Sequence, residues 1–301
     1  VTDGMAEDYG IAVSRYGRIN GGKLGSPHAG WFRNHYGGGI VRLGRLQYVT
    51  NNMRYGIRVF RNARTGEVLT LSESGVKYTG DGFIDSIPGH GDPAKAYTAK
   101  LSFDGTHVRG TPILPTGTAL PAPLGLDVSV WKDAVKRDDP LLAMHIPEGG
   151  GMGVDKCRSS MEAAFPFFEK HFPEAPVKGI MCASWIFSPE YETFFSTEAN
   201  FVRYQHELYL FPTWSSGKDG VYFIFDREGD IDPKTLPRDS SLRKAMAERL
   251  ECGGVLRNGG MFFLPEEMPK FGAQPYRAQS WVAALEAGDR GALGKSGLKL
   301  D

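Results

Sequence analysis

Residues 141–185 constrain the fold of this chain more than any other stretch. Leu141–Ile146 is a short continuous apolar run, which reads as a buried strand. Pro147-Glu148-Gly149-Gly150-Gly151-Met152-Gly153 follows as a glycine loop. Val154, Cys157, Met161, Phe165, Phe168 and Phe172 then recur at steps of three and four, so 154–172 is predicted to be an amphipathic helix. Asp155 in its first turn suits the helix dipole. Pro166 lacks the N–H for the bond to the carbonyl four residues back and predicts a kink or a shorter helix. Val177–Phe187, apolar on both faces, is the next buried strand.

Other segments extend this unit into a sheet with helices. Asp3 to Tyr16 is a poor helix. Ile40 to Val49 reads as one strand, its alternation placing Arg45 and Gln47 on one face with Leu43 and Val49. Tyr55–Arg61 and Glu67–Leu71 are strands joined by a turn at Arg64-Thr65-Gly66, and Tyr97–Phe103 with Val108 forms a hairpin about Asp104-Gly105. Residues 109–125, rich in proline and glycine, read as a connection. Asn200–Phe211 alternates and is predicted to be a long strand, with Arg203 and Gln205 on one face. Val221–Asp226 is a strand, Ser240–Cys252 a helix ended by Gly253-Gly254, and Gly260–Leu264 a last strand. Strands alternating with helices, together with antiparallel pairs, argue a mixed α/β or α+β sheet.

Composition removes several functions. Lys and Arg total 35 and Asp and Glu total 35, so the net basic face of a nucleic-acid binder is not expected. Arg54, Arg58, Arg61 and Arg64 read as a solvated face. No apolar run approaches the ~20 residues of a membrane span. Three cysteines, Cys157, Cys182 and Cys252, are widely spaced with no CxxC pair, which suits a reduced, cytoplasmic protein. Seven scattered histidines supply no metal-ligand spacing, so no metal is expected. The chain begins at Val1 rather than Met, and sequence upstream is expected to be missing or removed.

The chemistry concentrates on the central unit. Backbone N–H groups of a glycine loop at a helix N-terminus bind anions, so Gly149, Gly150, Gly151 and Gly153 are either a phosphate cradle or a plain connection. No Gly-Lys-Ser/Thr follows, and the glycine spacing is not that of a dinucleotide fingerprint. His145, at the end of the first strand, is either a satisfied core histidine or a general base of near-neutral pKa. Cys182 is either inert packing or, beside His145, a nucleophile. Ser184 and Trp185 end the second strand at the sheet edge where ligands bind, and Tyr191 shortly after is a candidate general acid for a leaving thiolate. Arg45, Gln47, Arg203 and Gln205 bind one another, cap the sheet or line a pocket.

Several segments in order resemble one family. Trp31-Phe32 with Val41–Tyr48 is similar to a W…LGRLQF signature, and Met144-His145-Ile146-Pro147 with Gly149-Gly150 to a HIP-x-G strand end. Phe167–Pro173 resembles FFxxHFP, Cys182–Trp185 with Pro189 resembles CxSWLLxP, and Asn200–Gln205 resembles SNIxRFQ. The chain is identified on these as resembling the bacterial family assigned as acyltransferases that carry a GNAT-like C-terminal domain, normally preceded by a helical domain. The positions of Glu148, Gly151 and Gly153 also match the Q/R-x-x-G-x-G/A acyl-CoA pyrophosphate loop of GNAT enzymes, with an acidic residue first.

The resemblance implies a GNAT-like acyl-CoA N-acyltransferase fold, with a central, mostly antiparallel sheet and flanking helices. It implies acetyl-CoA or a longer acyl-CoA as co-substrate and an amine of a small molecule or peptide as acceptor. His145 or Glu148 would be the base, Ser184 or a backbone N–H the oxyanion donor and Tyr191 the acid. Arg45, Gln47 and Trp185 would shape the acceptor pocket, with Cys182, Arg203 and Gln205 as further substrate contacts. The expected division is a helical remnant at 1–30, a β-rich part at 31–130, the GNAT-like core at 131–275 and a tail at 276–301. Two rivals stay open: a GNAT-like module that binds a ligand or partner without catalysis, and a Cys182/His145 acyl-transfer or hydrolytic enzyme.

Overall fold

In the computed structural model, which describes residues 3–25, 34–35 and 37–300, helix α1 spans Asp3–Ile19 and the first strands form a hairpin. Strands β1 (Ile40–Leu43) and β2 (Leu46–Asn52) turn about Gly44-Arg45, with Leu43 opposite Leu46. Gly44 has φ +63°, the left-handed conformation that a tight hairpin turn needs. The single strand expected over 40–49 is therefore two, and Arg45 sits at the turn, not on a strand face with Gln47. Trp31 and Phe32 lie outside the described residues.

The chain continues through β3 (Ile57–Asn62), β4 (Val68–Ser72), β5 (Lys77–Tyr78), β6 (Tyr97–Thr98), β7 (Leu101–Phe103), β8 (His107–Gly110), β9 (Pro112–Ile113), β10 (Leu124–Asp127) and β11 (Trp131–Val135). The central unit follows: β12 (Pro140–His145), α2 (Val154–His171) and β13 (Ile180–Ser184). Then come α3 (Asn200–His206), β14 (Tyr209–Pro212), α4 (Val221–Phe225), α5 (Ser241–Glu251), β15 (Gly259–Phe263), α6 (Ser280–Glu286), α7 (Arg290–Lys295) and β16 (Leu298–Leu300).

The main sheet has six strands in the order β1-β2-β12-β13-β15-β14. Every neighbouring pair is antiparallel except β12 and β13, which are parallel. The expected mixed, mostly antiparallel sheet with flanking helices is what forms. Helix α2 lays Cys157, Met161, Ala164 and Phe168 into one core with Leu46, Tyr48, Leu142 and Met144. Each such fully buried large apolar side chain is worth roughly 1.5–3 kcal/mol. The helix runs through Pro166, so the expected shortening does not occur.

Two four-stranded sheets, β11-β3-β4-β9 and β16-β10-β8-β7, share a separate core that includes Phe60, Leu71, Leu126, Trp131 and Trp281. Residues 276–301 supply part of it: β16 pairs with β10, and Trp281 Nε1 donates to the Val68 carbonyl at 3.1 Å. The stretch 109–125 is more than a connection, because Pro112 and Ile113 pair with β4. Pro112 begins a two-residue edge strand, where its missing N–H is tolerated.

Two further expected strands are helical. Over 200–206 the chain forms α3, because Val202 and Gln205, three apart, face the core together. Arg203 and Gln205, two apart on a helix, then diverge: Arg203 is exposed and Gln205 fully buried. Val221–Phe225 is the short helix α4, bracketed by Gly220 at φ +89° and Asp226 at φ +52°. The strand expected over 177–187 keeps its ladder only from Ile180 to Ser184, and Trp185–Phe187 coils into a 3-10 turn.

Candidate functional site

The site begins where a ladder stops. β12 and β13 pair only at Leu142 with Ile180 and Ala143 with Met181. Yet β12 runs on to His145 and β13 to Ser184. The other edges of both strands stay paired, β12 with β2 through His145 and β13 with β15 through Ser184. Between them Met144–His145 and Cys182–Ser184 face each other without ladder pairing.

The glycine loop lies just beyond the end of β12. Gly149, Gly150 and Gly151 have φ +83°, +69° and +61°, three successive left-handed residues that side chains would strain. All three are exposed, and among the described residues the N–H groups of Gly149–Gly153 have no hydrogen-bond acceptor. Gly153 gives α2 no side-chain cap, so the positive helix end also opens on the loop. Exposed glycine amides without an acceptor at a helix start are an arrangement that can bind an anion.

Two arginines flank the cradle. Arg45, at the hairpin turn, donates from Nε to the Gly151 carbonyl at 2.6 Å. Its place is set by Ser160 of α2, whose hydroxyl donates to the Leu43 carbonyl, accepts from the Leu46 N–H at 3.1 Å and meets the Tyr48 hydroxyl at 3.0 Å. Arg45 therefore stands at the glycine loop. On the other side Arg15 of α1 pairs with Glu148 at 2.9 Å and with Asp226 at 2.8 Å. Glu148, the alternative base, is thus engaged by a cation.

The remaining candidates separate. Gln47 is buried and directly opposite His145 in the β2–β12 ladder. Burial, followed by the charges of Arg54 and His35, pushes His145 down to about 4, well below the near-neutral value expected. Ser184 ends β13, and its hydroxyl accepts from the Ile186 N–H at 3.4 Å. Trp185 packs on the start of α4: a Cβ on Gly220 would lie 2.8 Å from its ring. Burial pushes the Cys182 thiol up to about 12, and among the described residues no hydrogen bond joins it to His145. Tyr191 is buried against Phe194, Phe195 and Phe201, and burial holds its hydroxyl well above its ordinary value. Gln205 Nε2 donates to the Ile186 carbonyl at 2.7 Å, a structural tie beneath the 3-10 turn. Arg203 lines, with Val154, Asp155 and Arg158, a cavity of about 420 Å³ beside the first turn of α2.

Sequence reasoning missed Arg15 and Ser160. Ser160 left one signal, a hydroxyl on the helix face that also carries Cys157, Met161 and Ala164. Arg15 left none, since its partners are distant in the chain. No group of His, Cys, Asp or Glu among the described residues could hold a metal ion, and no described helix is long and apolar enough to cross a membrane.

A mixed sheet opened at its one parallel pair, with a glycine cradle at the opening, defines a GNAT-type architecture. The chain belongs to the GNAT-like C-terminal domain family, which matches residues 40–263. Its fold is similar to that of an acyltransferase in complex with decanoyl-CoA and teicoplanin, with TM-score 0.53 and 19% identity over 87% of this chain and 57% of that one. An acyltransferase in complex with CoA and 10C-teicoplanin aligns with TM-score 0.51, 20% identity and the same coverage. At these identities the likeness is one of fold, and the chain spans 57% of the length of those proteins. No curated protein matches it in sequence.

Proposed function

We propose that this chain holds an acyl-CoA between β12 and β13 and transfers its acyl group to an amine. The observation that carries the proposal is the early end of the β12–β13 ladder beside the glycine cradle. An extended pantetheine carries amides that pair with open strand edges, as an added strand does. Its diphosphate then falls on the amides of Gly149, Gly150, Gly151 and Gly153 and on the α2 terminus, with Arg45 alongside.

The amine nitrogen attacks the thioester carbonyl, a C–N bond forms, and the C–S bond breaks with the electron pair leaving on the CoA sulfur. His145, neutral at physiological pH, takes the amine proton through water and passes it to solvent. The Ser184 hydroxyl or a β13 N–H holds the oxyanion. The thiolate takes its proton from water, because Tyr191 is sealed in its aromatic cluster. Cys182, with a thiol pushed up to about 12, stays packing.

The fold-similar acyltransferase was solved with decanoyl-CoA and with teicoplanin, so long acyl chains and large peptide-like amines are the first substrates to try. Thiol release from acetyl- to decanoyl-CoA, measured against an amine panel, tests the proposal. Release that requires an amine, and slows in His145→Gln, supports it. One observation favours the second reading, a binding module: a base held at about 4 is far from the optimum for proton transfer near neutrality. CoA binding without acyl transfer to any amine would establish that reading instead.

A further inference from the structure

We infer that Glu148 is a place-holder on Arg15: its carboxylate occupies the guanidinium that the diphosphate of a bound CoA ester takes over. Arg15, from outside the sheet, thereby becomes a phosphate-binding residue of the site. This rests on the proposed role of loop 147–153 as a diphosphate cradle.

Arg15 is built to stay where it is. Its Nε bonds Asp226 at 2.8 Å, its Nη2 bonds the Phe223 carbonyl at 3.1 Å, and it lies over the rings of Tyr222 and Phe223 at 5.7 and 5.6 Å. Its side chain is only 11% exposed. Glu148 is built to leave. Its side chain is 42% exposed, and the three left-handed glycines that follow it give the loop a ready pivot.

The charges favour the exchange. Arg15 and Arg18 balance Glu148 and Asp226 in one cluster. Once Glu148 turns to water, the cluster keeps one excess positive charge beside the amide cradle. A phosphate is a stronger partner for that charge than a single carboxylate, because a guanidinium matches its oxygens with paired donors. The acidic first residue of the loop, out of place in the sequence next to a diphosphate, then has a use: it shields Arg15 until a phosphate-bearing ligand arrives. A ligand without phosphate has nothing to gain from displacing it.

The test compares CoA with pantetheine, which lacks the phosphates, by calorimetry on the whole chain. Glu148→Gln is expected to tighten CoA about fivefold, the range of a part-exposed ion pair, and to leave pantetheine unchanged. Arg15→Gln is expected to weaken CoA at least about tenfold, with part of the loss restored in Arg15→Lys. A merely structural Arg15 would move both ligands together, and that result overturns the inference. So does wild-type protein that binds CoA with an affinity that Glu148→Gln changes by less than about twofold. If neither the wild type nor Glu148→Gln binds CoA at all, the diphosphate cradle itself fails, and the inference falls with it.

Discussion

Arg45 at the tip of the first hairpin donates to the carbonyl of Gly151 at 2.6 Å and so ties the hairpin to the glycine loop. In a trans peptide the next N–H points opposite the carbonyl, so this bond also fixes the direction of the Met152 amide. Arg45 thus adds charge to the cradle and holds its backbone in shape.

Arg45→Gln removes the charge and loosens the loop. CoA affinity is expected to fall by about tenfold, the loss of one charge-assisted contact. Stability should change by less than about 1 kcal/mol, because the side chain is partly exposed. Calorimetry and urea unfolding of the same variant separate the two. Unchanged affinity would remove Arg45 from the site.

Ser160 bears on stability instead. Ser160→Ala strands the buried Leu46 N–H and the Leu43 carbonyl together. Roughly 2–3 kcal/mol of stability is expected to be lost, read from the urea midpoint at constant m-value. Ser160→Thr is no rescue, since its extra methyl enters a packed helix–sheet seam.

His145 gives a pH signature. Its folded value of about 4 lies below the ordinary 6.5, so between those pH values the unfolded chain binds the extra proton. Stability contributed by the neutral imidazole is present above pH 6.5 and is lost as pH falls towards 4, on the order of 3 kcal/mol in all. Denaturant unfolding at pH 7, 5.5 and 4 should show a steeper decline in the wild type than in His145→Gln. Parallel declines would contradict the burial of a neutral His145. The acid limb of the transfer rate should likewise lie near pH 4.

Cys182→Ala should leave turnover within about twofold while lowering stability by about 1 kcal/mol, the signature of packing. Loss of turnover with intact CoA binding would restore the cysteine to the chemistry.

The sequence made the central unit legible because long periodic patterns are hard to mistake. The stripe from Val154 to Phe172 and the apolar runs about Leu142 and Met181 each have one good interpretation, and α2, β12 and β13 follow them. Short segments were ambiguous. Residues 200–206 alternate well enough for a strand, yet seven residues also make two turns of helix. Gly44 inside an alternating run concealed a hairpin turn and so misplaced Arg45. What lay beyond reach was pairing between remote residues. Neither the Arg15–Glu148 ion pair nor the β10–β16 ladder has a local signal.

The central claim is that CoA is held where β12 and β13 part, with its diphosphate on the glycine loop. Thermal melting with saturating CoA, in the wild type and in Gly150→Val, tests it most directly. A β-branched residue at φ +69° beside Arg45 closes the cradle and strains the loop. CoA at a hundred times its Kd should stabilise the wild type by about 2.7 kcal/mol and raise its Tm, and should do neither in Gly150→Val. No shift with CoA or any acyl-CoA in the wild type, or an equal shift in both proteins, would contradict the account.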